Sequence, residues 1–253
     1  MYPTFFRIGE FEITSFGVLV ACAALAGLLL FSREARRSGL SEKTFDAALG
    51  GVLGGLIGAK VLWTIEFSGT APVADLLFSR GGLSWFGGLI GGVGTGLALL
   101  RRYRVPIVTA LAAATPALAL GHAIGRIGCF LVGDDYGRPT DLPWGVAFPK
   151  GLPPTDVPVH PTQLYETLLL VPVVIWLIRW RKAGVSDRVV LGRYLVMVGT
   201  IRFAIEFVRV NRHILGPFTL AQMIAAALAI VGLVVLGRAG RSSARLRAAS
   251  GNA

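Results

Sequence analysis

The chain has 253 residues, 54% of them hydrophobic and only 15% charged, with a mean hydropathy of +0.67. A soluble domain carries about 25% charged residues, so this deficit excludes an ordinary soluble enzyme and points to a lipid environment. The net charge of +11 would suit nucleic acid. The basic residues, however, fall in short clusters between apolar runs, which is how membrane topology is written, and a nucleic-acid partner is excluded. Cys22 and Cys129 stand far apart without a CxxC or Cys/His spacing. No disulfide framework, metal site or other cofactor is expected.

The segment Met1–Glu12 lacks a basic start running into an apolar core, so no cleavable signal peptide is expected. A spanning helix needs about 20 predominantly apolar residues. Stretches of that kind cover residues 14–31, 46–66, 83–100, 107–129, 162–180, 190–208 and 217–236. The predicted fold is therefore an all-α integral membrane protein, one bundle of about seven helices over residues 1–236. The polar connection 131–161, rich in Pro, Gly and Asp, is too long for a simple turn and forms an outer, loop-rich head. Residues 237–253 read as a basic, disordered tail near anionic headgroups. Gly50, Gly51, Gly54, Gly55 and Gly58 in the second span, and Gly87, Gly88, Gly91 and Gly92 in the third, have the small-xxx-small spacing that lets helix backbones approach in lipid.

Lysine and arginine counts set the orientation. Fifteen fall in the 32–45, 101–106 and 179–189 connections and the tail; six (Arg7, Arg80, Arg138, Lys150, Arg209, Arg212) fall on the other side. The bias puts the N-terminus and the 131–161 loop outside and the C-terminus inside. In a bacterium that is the periplasmic side of the inner membrane.

An ionisable side chain in a span costs on the order of 2.5–3.5 kcal/mol, so each asks for a reason. Arg126 sits near the outer end of the fourth span. Arg202, Glu206 and Arg209 follow at i, i+4, i+7, which puts all three on one helix face. Gln163 and Glu166 share a face at the start of the fifth span, with Tyr165 beside them. Individually these have bland readings: Arg202–Glu206 as a neutralising pair, Arg126 snorkelling to the headgroups. Gathered at one depth under an unusual loop, they suit a lipid phosphate, which guanidinium binds bidentately at any relevant pH.

The run Gly125-Arg126-Ile127-Gly128-Cys129-Phe130 continues through Gly133-Asp134-Asp135-Tyr136-Gly137 to Pro143-Trp144 and Phe148-Pro149. It is followed by His160-Pro161-Thr162-Gln163-Leu164-Tyr165-Glu166 and, later, by Arg202-Phe203-Ala204-Ile205-Glu206-Phe207-Val208-Arg209. These blocks, in this order, resemble the bacterial prolipoprotein diacylglyceryl transferase family over most of the chain. The resemblance implies transfer of the diacylglyceryl group of phosphatidylglycerol to the lipobox cysteine thiol of a preprolipoprotein, leaving a thioether and releasing glycerol phosphate. By position, Arg126 would grip the lipid phosphate and Arg202 would stabilise developing charge. Glu206 would orient Arg202, and Asp134 would stand for the family's acidic residue after the Gly. Gly137, His160, Gln163, Tyr165, Glu166 and Arg209 would line the substrate site.

Three polar positions of the family pattern are replaced. Phe86 stands for a His in the third span that is the favoured base, Cys129 for an Asn, and Phe16 for a Tyr. Transfer is nevertheless expected, with thiolate formation weakly assisted. The thiol's own acidity supplies a few per cent of thiolate, and the field of Arg126 and Arg202 raises that share. His122, four residues before Arg126, is a candidate base. The first reading of a lone His in such a small-residue helix, however, is a packed, hydrogen-bonded residue. His160 reads as ordering the start of its helix, and Cys129 as inert. Two other functions fit the same residues: a phospholipid-dependent transferase with a different acceptor, and a non-catalytic phospholipid-binding protein.

The charge bias makes the topology testable with reporter fusions after Gly151 and Arg241. The Gly151 fusion is expected to be active only in the periplasm and the Arg241 fusion only in the cytoplasm. The reverse pattern would invert the bundle.

Overall fold

A computed structural model of the protein describes residues 4–9, 11–79, 82–211 and 213–250. Residues 1–3 and 10 of the N-terminal segment, Arg80 and Arg212 of the charge count, and 251–253 of the tail lie outside the described residues. The helices are α1 (Ser15–Arg37), α2 (Lys43–Glu66), α3 (Val73–Phe78), α4 (Trp85–Arg102), α5 (Ile107–Val132), α6 (Thr162–Lys182), α7 (Asp187–Ile205) and α8 (Leu220–Ser250). Among the described residues, three antiparallel pairs punctuate them: β1 (Thr4–Ile8) with β2 (Phe11–Thr14), β3 (Val146–Phe148) with β4 (Thr155–Val159), and β5 (His213–Leu215) with β6 (Phe218–Thr219).

Helices α1, α2, α5, α6 and the 220–241 part of α8 are long and apolar enough to cross a membrane. The chain is an all-α membrane protein. Helices α4 and α7 coincide with the other two expected spans but are less apolar. Glycines and the terminal Arg101 and Arg102 dilute α4, while Asp187, Arg188, Arg193 and Arg202 dilute α7. Beyond residue 237, where a disordered tail was expected, the backbone stays helical through Ser250. The segment is rich in Ala and Arg, both strong helix formers, and has no proline.

The backbone groups into two compact units, Phe31–Leu111 and the combination of Met1–Leu30 with Ala112–Ala253. In the first, α2 and α4 touch through backbone. A Cβ on Gly51 would lie 3.3 Å from the Gly92 carbonyl oxygen, one on Gly55 3.3 Å from that of Gly88, and one on Gly91 3.0 Å from the Gly58 Cα. The in-span Lys60 is satisfied there. Its Nζ donates to the Ser79 carbonyl and hydroxyl, both at 2.8 Å, and lies 4.6 Å over the Trp63 ring. In the second unit, Ala119 of α5, Val173 and Leu177 of α6 and Val190 of α7 form a buried cluster. Helices α7 and α8 repeat the glycine contact at positions whose spacing does not advertise it: a Cβ on Gly199 would meet the Ala229 amide nitrogen at 2.9 Å.

One local reading is corrected. Arg202, Glu206 and Arg209 do not ride one continuous helix face. Helix α7 ends at Ile205, Glu206–Val208 form a 3-10 turn, and Arg209 is extended at φ −89° and ψ 164°. The chain leaves the helix because Arg209 pairs with Gly137 in a β-bridge, exchanging helical hydrogen bonds for ones to the 131–161 loop.

The α2–α4 contact predicts a contrast between two glycines. Gly91→Leu should destabilise the protein by about 1–3 kcal/mol, the usual cost of overpacking. Gly94→Ala, where an added Cβ meets nothing within 4 Å, should be neutral. Melting temperatures in detergent would check both.

Candidate active site

The site forms where α5 hands the chain to the 131–161 loop. Gly133 and Asp135 adopt left-handed backbones, φ 76° and 60°, which turn the chain back over the helix end. Aspartate tolerates that region better than most residues. Two buried side chains at the start of α6 hold the turn: Thr162 Oγ1 donates to the Asp135 carbonyl at 2.8 Å, and Gln163 Nε2 to the Asp134 carbonyl at 2.5 Å. Farther along, Gly137 N donates to the His160 carbonyl at 2.9 Å and Arg138 N to the Val208 carbonyl at 2.8 Å. Only glycine fits at 137, since a Cβ there would lie 2.8 Å from the His160 Cβ.

This framework closes a ring of alternating charges. Glu166 on α6, only 1% exposed, takes Arg126 Nε at 2.8 Å and Arg202 Nη1 at 3.7 Å on its Oε2. Arg126 Nη1 reaches Asp135 Oδ2 at 2.9 Å, and Asp135 Oδ1 takes Arg209 Nη2 at 2.6 Å. Arg209 Nε lies 3.6 Å from Glu206 Oε2, and the same oxygen takes Arg202 Nη2 at 3.3 Å, which completes the circuit. Three guanidiniums and three carboxylates cancel formally. Outside the ring, His122 Nε2 lies 3.2 Å from Glu166 Oε1. Asn211 Nδ2 and Thr219 Oγ1 donate to Glu206 Oε1 at 2.6 and 2.8 Å.

The ring leaves donors over. Among the described residues, the buried Arg126 Nη2 and Arg209 Nη1 have no hydrogen-bond partner. Buried polar groups of this kind are normally paired, and unpaired guanidinium nitrogens fit an anionic ligand. Arg202 is the most accessible arginine of the ring, 27% exposed against 7% for Arg126 and 4% for Arg209, and neither of its contacts is shorter than 3.3 Å. In the loop, partial desolvation pushes the Asp135 carboxyl up, but the Arg209 and Arg126 guanidiniums outweigh it and hold it below the usual carboxylate range. Burial raises Asp134, whose side chain hydrogen-bonds Cys129.

The expected site residues thus divide. Arg126, Glu166, Arg202, Glu206 and Arg209 meet in the ring, and His122 joins it. Asp134 is adjacent, but the carboxylate between the arginines belongs to Asp135, its neighbour, which sequence reasoning missed. Gly137 and Gln163 fasten the loop. Tyr165 accepts from Trp144 Nε1 at 2.8 Å and meets His160 Nδ1 at 3.2 Å, tying the loop to α6. Asn211 and Thr219 were also missed. Only the doubled Asp134-Asp135 carried a sequence signal.

The family model for prolipoprotein diacylglyceryl transferase matches residues 3–238. The chain is 32% identical to the phosphatidylglycerol–prolipoprotein diacylglyceryl transferase of Geobacter sulfurreducens, over 92% of this chain and 93% of that protein. It is 35% identical to the protein of the same name from Synechococcus elongatus, over 92% and 86%. For the Clostridium tetani protein of that name the figures are 31%, 93% and 96%.

Removing one partner of a buried ion pair strands the others, at about 3–5 kcal/mol. Glu166→Gln should lower stability on that scale, read as a melting-temperature drop in detergent. The Asp135 contribution has a defined pH sign. Its folded carboxyl titrates below the unfolded one, so the stability it adds is present above about pH 4. That stability is lost as pH falls through the lowered folded value, and Asp135→Asn should flatten this part of an acid-unfolding curve.

Proposed function

Because the chain belongs to the prolipoprotein diacylglyceryl transferase family, we propose that it transfers the diacylglyceryl group of phosphatidylglycerol to the lipobox cysteine of a preprolipoprotein signal peptide. The acceptor sulfur attacks the glyceryl carbon, the carbon–oxygen bond to phosphate breaks, and glycerol phosphate leaves with one more negative charge than the diester carried. That reaction needs fixed donors where charge builds. The observation that carries the reading is the pair of partnerless, buried nitrogens Arg126 Nη2 and Arg209 Nη1 in the same ring as Arg202.

In this reading Arg126 and Arg209 receive the lipid phosphate and the accessible Arg202 follows the leaving group. Glu166 and Glu206 orient Arg202 from both sides, with Asp135, beside the expected Asp134, holding Arg126 and Arg209. Gly137, His160, Gln163 and Tyr165 shape the loop wall that the substrates meet. A non-catalytic phospholipid binder would not need three arginines locked by three carboxylates. Such locking suits a cradle that must not reorganise during a reaction.

The topology belongs to the same proposal. Seven spans, with α4 and α7 crossing beside the more apolar five, put the ring and its loop at the periplasmic face of the bacterial inner membrane. The N-terminus is then outside and the C-terminus inside, as the fifteen-to-six charge bias favours.

Arg202→Lys provides the test. Lysine keeps the charge but loses the planar fork that spans Glu166 and Glu206, and a lost transition-state donor costs roughly 10²–10³ in rate. Transfer to a lipobox peptide should fall on that scale while the purified protein stays folded. Turnover near wild type would leave Arg202 as a structural partner of Glu206.

A further inference from the structure

The transfer proposed above must remove a proton from the acceptor thiol, whose ordinary pKa of about 8.5 leaves it mostly protonated near neutral pH. The chain has three histidines. His213 lies on the exposed β5. His160 has its Nδ1 engaged by the Tyr165 hydroxyl, which Trp144 also binds. His122 differs from both. It lies one turn before Arg126 on α5, its Nε2 is 3.2 Å from Glu166 Oε1, and it is 37% exposed where Glu166 is 1% exposed. The other oxygen of Glu166 is held by Arg126 Nε at 2.8 Å, so the carboxylate that faces the imidazole is fixed in place.

We propose that His122, oriented by Glu166, is the general base that takes the acceptor thiol's proton. A neutral imidazole that donates from Nε2 to a carboxylate presents the Nδ1 lone pair as acceptor. A base steered by a third, anionic group is the arrangement that activates nucleophiles elsewhere. The step balances. The thiol proton moves to Nδ1, sulfur bonds to the glyceryl carbon, and the carbon–oxygen electron pair leaves with the phosphate. The imidazolium then gives its proton to the released phosphomonoester, whose second pKa is about 6, or to water. The charged groups that face His122 are Arg126 on its own helix, Glu166 on α6 and, through Glu166, Arg202 on α7. Glu166 therefore serves both halves of the reaction, holding the base on one oxygen and two arginines on the other.

The proposal rests on the transfer reading, and one experiment separates the two. The full-length protein in phosphatidylglycerol nanodiscs is assayed with a lipobox peptide between pH 6 and 9, as wild type and as His122→Gln. The glutamine amide can keep the donor to Glu166, and its melting temperature and phosphatidylglycerol binding serve as controls. The wild-type rate is expected to level off below the thiol's own ionisation. His122→Gln is expected to be 10²–10⁴-fold slower at pH 7 and to climb about tenfold per pH unit toward pH 8.5, as free thiolate accumulates. A variant within threefold of wild type, or one that keeps the wild-type profile, overturns the base assignment alone. A slower variant that has lost lipid binding or thermal stability assigns His122 to structure and overturns it as well. A folded, lipid-binding wild type that transfers nothing to the peptide overturns both the base and the transfer reading.

Discussion

Everything at the loop end of this protein depends on one closed circuit of ion pairs: Glu166, Arg126, Asp135, Arg209, Glu206, Arg202 and back to Glu166. Isolated charges at such positions are expensive in a bilayer, and a buried pair is favourable only when its geometry satisfies both partners. Alternation solves the problem collectively, because every carboxylate lies between two guanidiniums and the formal charge cancels. Members come from α5, the loop, α6, α7 and the turn beyond it, so the circuit also binds these elements together. Loop anchors such as Thr162 and Gln163 are required because Asp135 reaches two arginines only if its backbone is held in the left-handed region.

The circuit is not uniform. Glu206 is clamped from outside by Asn211 and Thr219, and Thr219 in turn exchanges hydrogen bonds with Gln222 on α8. Asp135 makes short contacts of 2.9 and 2.6 Å to its two arginines. Arg202, by contrast, is held at 3.3 and 3.7 Å and is the most exposed of the three arginines. The ring is tightest at Asp135 and loosest between Arg202 and Glu166. Glycine contacts at Gly192, Gly199 and Gly232 bring α7 and α8 backbone to backbone behind this arrangement. Packing of that kind replaces the hydrophobic drive that lipid removes.

Part of the site is legible in the amino-acid sequence. Arg126, Glu166, Arg202 and Glu206 stand out because each is ionisable inside an apolar run, and the run's composition alone raises the question of what offsets their cost. Asp135, Asn211 and Thr219 raise no such question: loops and helix starts are full of Asp, Asn and Thr. Their importance comes from a backbone turn and a 3-10 turn, both set by contacts distant in sequence. The expectation of one helix face for Arg202, Glu206 and Arg209 failed for the same reason. Local periodicity favours a continued helix, and the Gly137–Arg209 bridge overrides it.

The sequence by itself determined that this is an all-α membrane protein with ionisable residues set into its apolar helices. Apolar length and charge clustering are properties of the chain that no packing can change. It also determined that glycine rows would let helices touch, since the missing Cβ is written in the residue. Tertiary structure alone decided which carboxylate faces which guanidinium, that the circuit closes, and that His122 rests on Glu166. Those are distances between α5, α6, α7 and a folded loop, a few ångströms wide. They exist only once packing has set the helices side by side.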